Sequence, residues 1–152
     1  MGYGIVESDD SSLAVVAYGA IKCRERQPLT DRLRQIYEKL DKIITQFEPD
    51  AAAIETPFVG DNVRSALAIG KAQGVAMLAA AMHGIPIFEY SPAAVKHHVA
   101  DYGASTKEQM QEMVKLLLDL VEIPQPHDAA DALAIAICHS REMTLNEMRM
   151  RE

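Results

Sequence analysis

Three carboxylates in this chain have the type and the placement to hold a divalent cation. Glu55 closes the apolar run Ala51-Ala52-Ala53-Ile54-Glu55, and Asp128 and Asp131 stand in His127-Asp128-Ala129-Ala130-Asp131-Ala132-Leu133. A separation of three puts the two aspartates on one face of a helix, where like charges repel. A cation between them reverses that sign, and Mg2+ favours hard oxygen ligands. The plainer reading is that acids in a first helical turn favour the helix dipole and cap free N–H groups. Against it, the apolar run Ala132 to Ile137 follows at once, so a buried helix would bring both acids to its start. Glu55 also has a plainer reading, as a solvated acid at a strand end. Ligands in open α/β sheets, however, gather at the carboxyl ends of strands. The chemistry such a cluster implies is phosphodiester hydrolysis, with one metal ion activating water and one stabilising the leaving oxygen.

Four other residues could serve that chemistry. His127 is four residues before Asp131 and can share its face, as a general base or metal ligand, or as a helix-start histidine facing water. Phe58 lies in the breaker-rich loop Thr56-Pro57-Phe58-Val59-Gly60-Asp61-Asn62. It could tuck into the core, or stack on or wedge between bases. Lys96 and Lys107 could contact phosphate or be ordinary solvated lysines. Lys107 falls at a predicted helix start, where backbone N–H groups add to its charge.

The elements that must position these residues follow from periodicity. Gly2 to Glu7 and Leu13 to Lys22 read as strands of a hairpin around the turn cluster Ser8-Asp9-Asp10-Ser11-Ser12. Leu33, Ile36, Tyr37, Leu40, Ile43, Ile44 and Phe47 recur at helical spacing; Gln27 or Thr30 lies near the start and Pro49 just past the end. Ala51 to Ile54 is a short strand. Val63 to Met82 is a long helix, apolar almost all round and rich in Ala and Gly, as expected of a helix that is buried or closely paired. Ile85 to Glu89 is a strand with Pro86. Ser91-Pro92 opens a helix, and Ser105-Thr106-Lys107-Glu108 is a capping box for one running to about Leu120. His127 to about Ser140 is the last helix, with residues 142–152 a tail that is either a frayed helix or disordered. The order β-β-α-β-α-β-α-α-α predicts an α/β fold with a mixed sheet in one domain over 1–141.

Composition sets the class. Of 152 residues, 49% are hydrophobic and 24% charged, and the net charge of −7 disfavours a generic nucleic-acid binder. A local basic strip can coexist with that total. Cys23 and Cys138 fit no metal-ligand spacing and suit a reducing compartment. The start Met1-Gly2-Tyr3-Gly4 does not read as a signal peptide, and the apolar stretch 72–88 is too polar and broken to span a bilayer. A cytoplasmic protein with no membrane partner is the expectation.

Several blocks, in order, resemble the RuvC family of Holliday junction resolvases, in the RNase H-like superfamily. They are Ile54-Glu55-Thr56-Pro57-Phe58, Ser65 to Val75, Phe88-Glu89-Tyr90-Ser91-Pro92 with Val95-Lys96, and Asp128 to Ala134. The resemblance implies an RNase H-like mixed sheet flanked by helices. It implies symmetric cutting of four-way DNA junctions by a homodimer paired through the helix 63–82, using two Mg2+ (or Mn2+) ions per active site. RuvA and RuvB branch-migration proteins are the implied partners. Glu55, Asp128 and Asp131 look like three of four catalytic, metal-holding acids, Phe58 like a base-contacting aromatic, and Lys96 and Lys107 like flanking DNA-binding lysines. His127 is a possible accessory. The family's first strand ends in an Ile-Asp-Pro-Gly type motif bearing the fourth acid, and this chain starts after it. A truncated or misplaced start, an incomplete sheet and weak metal binding are therefore expected. The alternatives are a catalytically impaired junction-binding homodimer, or an RNase H-like nuclease acting on another branched substrate.

Overall fold

The computed structural model describes residues 1–152 apart from 10–11, 25, 57–59, 61, 101–104 and 152. Its elements are β1 (Gly2–Ser8), β2 (Leu13–Ala20), α1 (Leu29–Phe47), β3 (Ala52–Glu55), α2 (Val63–Met82), β4 (Ile87–Tyr90), α3 (Pro92–Ala100), α4 (Lys107–Leu117) and α5 (His127–Met150). This is the predicted order. Among the described residues the strands pair as two two-stranded sheets, β1 with β2 and β3 with β4. The chain divides accordingly into two compact units, Met1–Ala20 with Tyr90–Glu152, and Ile21–Glu89.

The first unit is organised by α5. Its buried residues are Ala129, Ala130, Leu133, Ala134, Ile137 and Cys138, a stripe repeating every four residues. Val95 and Val99 of α3, with Val114 and Leu118 from α4 and its end, complete the cluster around Leu133 and Ile137. Burying each such side chain contributes about 1.5–3 kcal/mol. On another side, β1 lies along α5, and both ends of that contact are fixed. A Cβ on Gly2 would come within 1.8 Å of the Asp128 carbonyl oxygen, and one on Gly4 within 2.7 Å of Leu133 Cδ2. At the far end Ser140 Oγ donates to Ser8 Oγ at 2.8 Å. Six strand steps and twelve helix steps both advance about 18–20 Å, so strand and helix run side by side in the same direction. β2 pairs antiparallel with β1, Gly2 facing Ala20 and Ser8 facing Leu13, with a bulge between Ile5 and Val6.

One sequence expectation changes here, and of the two alternatives for the tail the helix holds. The capping box of α4 uses Thr106 and Gln109, one residue later than the Ser105–Glu108 pair read from sequence, and the helix ends at Leu117. Both pairs satisfy the motif; Ser105 is buried, 8% exposed, and Thr106 is left to cap the helix. The tail is helical: α5 continues to Met150. Residues 141–150 contain no Gly or Pro and are rich in Glu, Arg, Leu and Met, which favour helix. Thr144 Oγ1 returns a hydrogen bond to the Ser140 carbonyl, and His98 Nε2 lies 2.9 Å from Glu142 Oε2.

In the second unit α1 packs on α2, and β3 pairs with β4. Glu48, in the left-handed region at φ 45°, ends α1, and Pro49 cannot continue it. The N-cap of α1 is Pro28, without a side-chain cap, and Gln27 and Thr30 both lie near that start, as expected. Asn62 caps α2 by accepting from the Ser65 N–H at 3.1 Å. Of the two alternatives for α2, buried or closely paired, burial within this chain does not hold. Only Ala79 and Ala80 are buried, whereas Val63, Leu67, Ile69, Leu78 and Met82 are each more than half exposed. By length and composition α2 is also apolar enough to cross a bilayer. It begins earlier than the broken stretch 72–88 and is interrupted by neither Gly84 nor Pro86.

Two outcomes are expected from these contacts. Gly4→Ala should lower the stability of the protein by about 1–3 kcal/mol in urea unfolding, because the added methyl meets Leu133 side chain and backbone. A wild-type midpoint in that variant would show that β1 does not press on α5. The second concerns His139, hydrogen-bonded to the Tyr90 hydroxyl at 2.8 Å. Burial lowers its pKa below the ordinary 6.5. The stability it contributes is complete above about 6.5 and is lost as pH falls through the lower folded value. Urea midpoints taken from pH 7.5 down to 5 should fall more steeply for wild type than for His139→Gln; parallel curves would remove His139 as the cause.

Candidate metal centre and nucleic-acid interface

Asp128 and Asp131 occupy the first turns of α5, on the flank of its buried stripe. Their side chains are 61% and 51% exposed, while the neighbours Ala129 and Ala130 are at most 1% exposed. The helix thus buries its alanines and leaves both acids at the surface on one side. Position along the axis is set by Gly2 and Gly4, which bring the β1 backbone against Asp128 and Leu133. Sequence reading passed over these two glycines, although a pair at i and i+2 in a strand marks one face where another backbone approaches closely.

Both acids face a cation. Lys107 Nζ lies 3.3 Å from Asp131 Oδ2, and the Met1 amino group lies 3.7 Å from Asp128 Oδ2. Lys107 is the first residue of α4, whose start is locked by the reciprocal Thr106–Gln109 hydrogen bonds. Of the two lysines singled out from sequence, Lys107 is therefore at the carboxylates; Lys96 lies on α3 and is partly buried.

His127 opens α5 and is exposed, as the water-facing alternative required. It is nonetheless held: Gln111 Nε2 and its Nδ1 are hydrogen-bonded at 2.9 Å. Gln111 is 7% exposed, a residue the sequence reading did not name. Its signal was a polar side chain on the α4 face that also carries Val114 and Leu118.

Glu55 is the last residue of β3, as predicted, and stands in the other compact unit. Gln73 of α2 donates from its side chain to the Glu55 carbonyl oxygen, so the end of the strand is held from within that unit. Phe58 falls outside the described residues. Among the described residues no group of three or more His, Cys, Asp and Glu is gathered to hold a metal ion. The donors at α5 are nevertheless of the right kind for a hard divalent cation: two carboxylates on one turn, each drawing an ammonium group.

Comparison with known proteins gives these features their context. The family described as "Crossover junction endodeoxyribonuclease RuvC" matches residues 1–139. A relative of that name from Dehalococcoides mccartyi is 53% identical over 139 residues, 91% of this chain and 83% of its own length. Another from Chloroflexus aggregans is 53% identical over 140 residues, covering 92% and 85%. Among solved structures, Thermus thermophilus RuvC in complex with a Holliday junction substrate superposes with a TM-score of 0.90 at 30% identity, over 95% of this chain and 88% of that one. A further Thermus thermophilus RuvC structure gives 0.86 at 30% identity, over 95% and 89%. The α/β architecture is thus the RNase H-like fold of those proteins, and the chain belongs to the RuvC family of crossover junction endodeoxyribonucleases.

Proposed function

We propose that this protein binds four-way DNA junctions and cuts them by metal-dependent phosphodiester hydrolysis, with Glu55, Asp128 and Asp131 as the acidic residues of the centre. The observation that carries this reading is the pair Asp128 and Asp131 on one exposed turn of α5 with Lys107 against it, in a chain that matches the RuvC family over residues 1–139. Mg2+ or Mn2+, two per site, is the cofactor this donor chemistry suits, and it would supply an activated water and a counter-charge for the leaving oxygen. The residues of the chain do the rest. The α5 carboxylates provide the oxygen ligands, and β1 fixes their height. Lys107 and Lys96 offer positive charge to the DNA backbone, and His127, hydrogen-bonded to Gln111 and opening the helix that carries both aspartates, is a possible accessory. Phe58 is assigned to base contact, where an aromatic ring can stack or wedge.

The same reading makes the protein a homodimer through α2. Val63, Leu67, Gly70, Gly74, Leu78 and Met82 succeed one another at intervals of three or four and form one stripe. The large members are 54–68% exposed, and a Cβ at Gly70 or Gly74 would meet nothing within 4 Å. Small residues in the middle of an apolar stripe let a second helix approach closely, and an exposed patch of this kind marks an association surface. RuvA and RuvB are the proposed partners in branch migration, and the DNA substrate is consistent with a cytoplasmic protein.

Two experiments test this. On a synthetic four-way junction, cutting should require Mg2+ or Mn2+. It should fall by about a hundredfold or more in Glu55→Gln, Asp128→Asn and Asp131→Asn, on the scale of lost electrostatic stabilisation in other active sites. Binding of the junction should survive. A band shift with no cutting in either metal would favour the impaired junction-binding homodimer instead. For the dimer, Leu67→Glu combined with Leu78→Glu should halve the mass in sedimentation while leaving the circular dichroism spectrum helical; a mass unchanged from wild type would exclude α2 as the interface.

A further inference from the structure

The contact between Lys107 and Asp131 has a consequence that depends on the metal-centre reading and goes beyond it. We propose that Lys107 is an exchangeable counter-ion: it neutralises Asp131 in the metal-free protein, is displaced by the incoming divalent cation, and passes to a DNA phosphate. The geometry is specific. The Nζ of Lys107, at the first position of α4, lies 3.3 Å from Oδ2 of Asp131, at the second turn boundary of α5. Two rigid supports hold the partners at that distance. The capping box fixes the start of α4, and the buried stripe with β1 fixes the start of α5.

The strength of the pair suits an exchange. The two side chains are 58% and 51% exposed, so water screens their attraction and the contact can yield. A divalent ion carries twice the charge and coordinates the carboxylate oxygen directly, and it cannot share Oδ2 with an ammonium group at the same point. The lysine stem is long and flexible, so the ammonium can swing away without disturbing α4. Its next anionic partner is the polyanion brought to the same surface. Metal and DNA binding are then coupled with positive sign. The cation releases Lys107 for phosphate, and phosphate, by drawing Lys107 off Asp131, opens the carboxylate to the cation. Linkage requires the two effects to be equal.

This is tested on the whole chain without any cutting, by following free Mn2+ by electron paramagnetic resonance in the absence of DNA. Lys107→Ala should bind Mn2+ about two- to fivefold more tightly than wild type, the yield of removing one half-exposed competing charge. Lys107→Arg should restore the weaker affinity, and Lys115→Ala, which removes a charge from the last turn of α4, should leave it unchanged. In gel shifts with Ca2+, the gain in junction affinity on adding the metal should be smaller for Lys107→Ala than for wild type. Equal or weaker Mn2+ binding by Lys107→Ala, with Asp131→Asn still abolishing it, overturns the exchange and leaves the metal centre standing. Mn2+ binding that survives Asp131→Asn unchanged removes the metal centre itself, and the exchange with it.

Discussion

The close approach of the β1 backbone to the first turns of α5 is the constraint on which the acidic site depends. It exists because positions 2 and 4 have no side chain. A methyl at either would overlap the Asp128 carbonyl or the Leu133 side chain. The contact does more than fill space. It fixes the height of α5 along the strand, and the buried repeat from Ala129 to Cys138 fixes its rotation. Height and rotation together leave Asp128 and Asp131 exposed, one turn apart. Packing density makes such an arrangement stiff, since a core at crystal-like density transmits displacement and does not absorb it.

Charge is the second organising feature. The chain is acidic overall at −7, and its predicted substrate is a polyanion. Long-range attraction to DNA is therefore absent from the net charge, and beyond about 10 Å at 0.1 M salt the field is screened in any case. Affinity has to be local. On the proposed reading two sources would stand at the α5 start: a cation held by Asp128 and Asp131, and Lys107. Both would draw on Asp131 Oδ2, so on that reading Lys107 would be free for the substrate only once a cation has displaced it.

Much of this was legible in the sequence, for identifiable reasons. Leu33 to Phe47 at helical spacing and the run Ala51 to Glu55 gave α1 and β3 because burial imposes a period on the chain. Asp128 and Asp131 were legible because a separation of three means one face only if the segment is helical, and the apolar residues after them show that it is. The α4 cap was off by one, since two overlapping pairs obey the same motif and only the burial of Ser105 decides between them. The Lys107–Asp131 contact was not legible as a contact. It joins two helices 24 residues apart, and their docking depends on the shared core of Val114, Leu133 and Ile137. The same holds for Gln111 against His127.

The exposure of α2 follows the same logic at a larger scale. A helix whose sequence is apolar all round must find cover, and α1 covers only the side that includes Ala79 and Ala80. The remaining stripe joins large residues near both ends to glycines in the middle, a profile suited to a crossing helix and poorly suited to water. A symmetric partner answers that demand with no further sequence, because a two-fold interface presents the same patch to itself. Two copies paired in this way would carry two acidic centres related by one axis, the arrangement that the proposed symmetric cutting of a four-way junction would use.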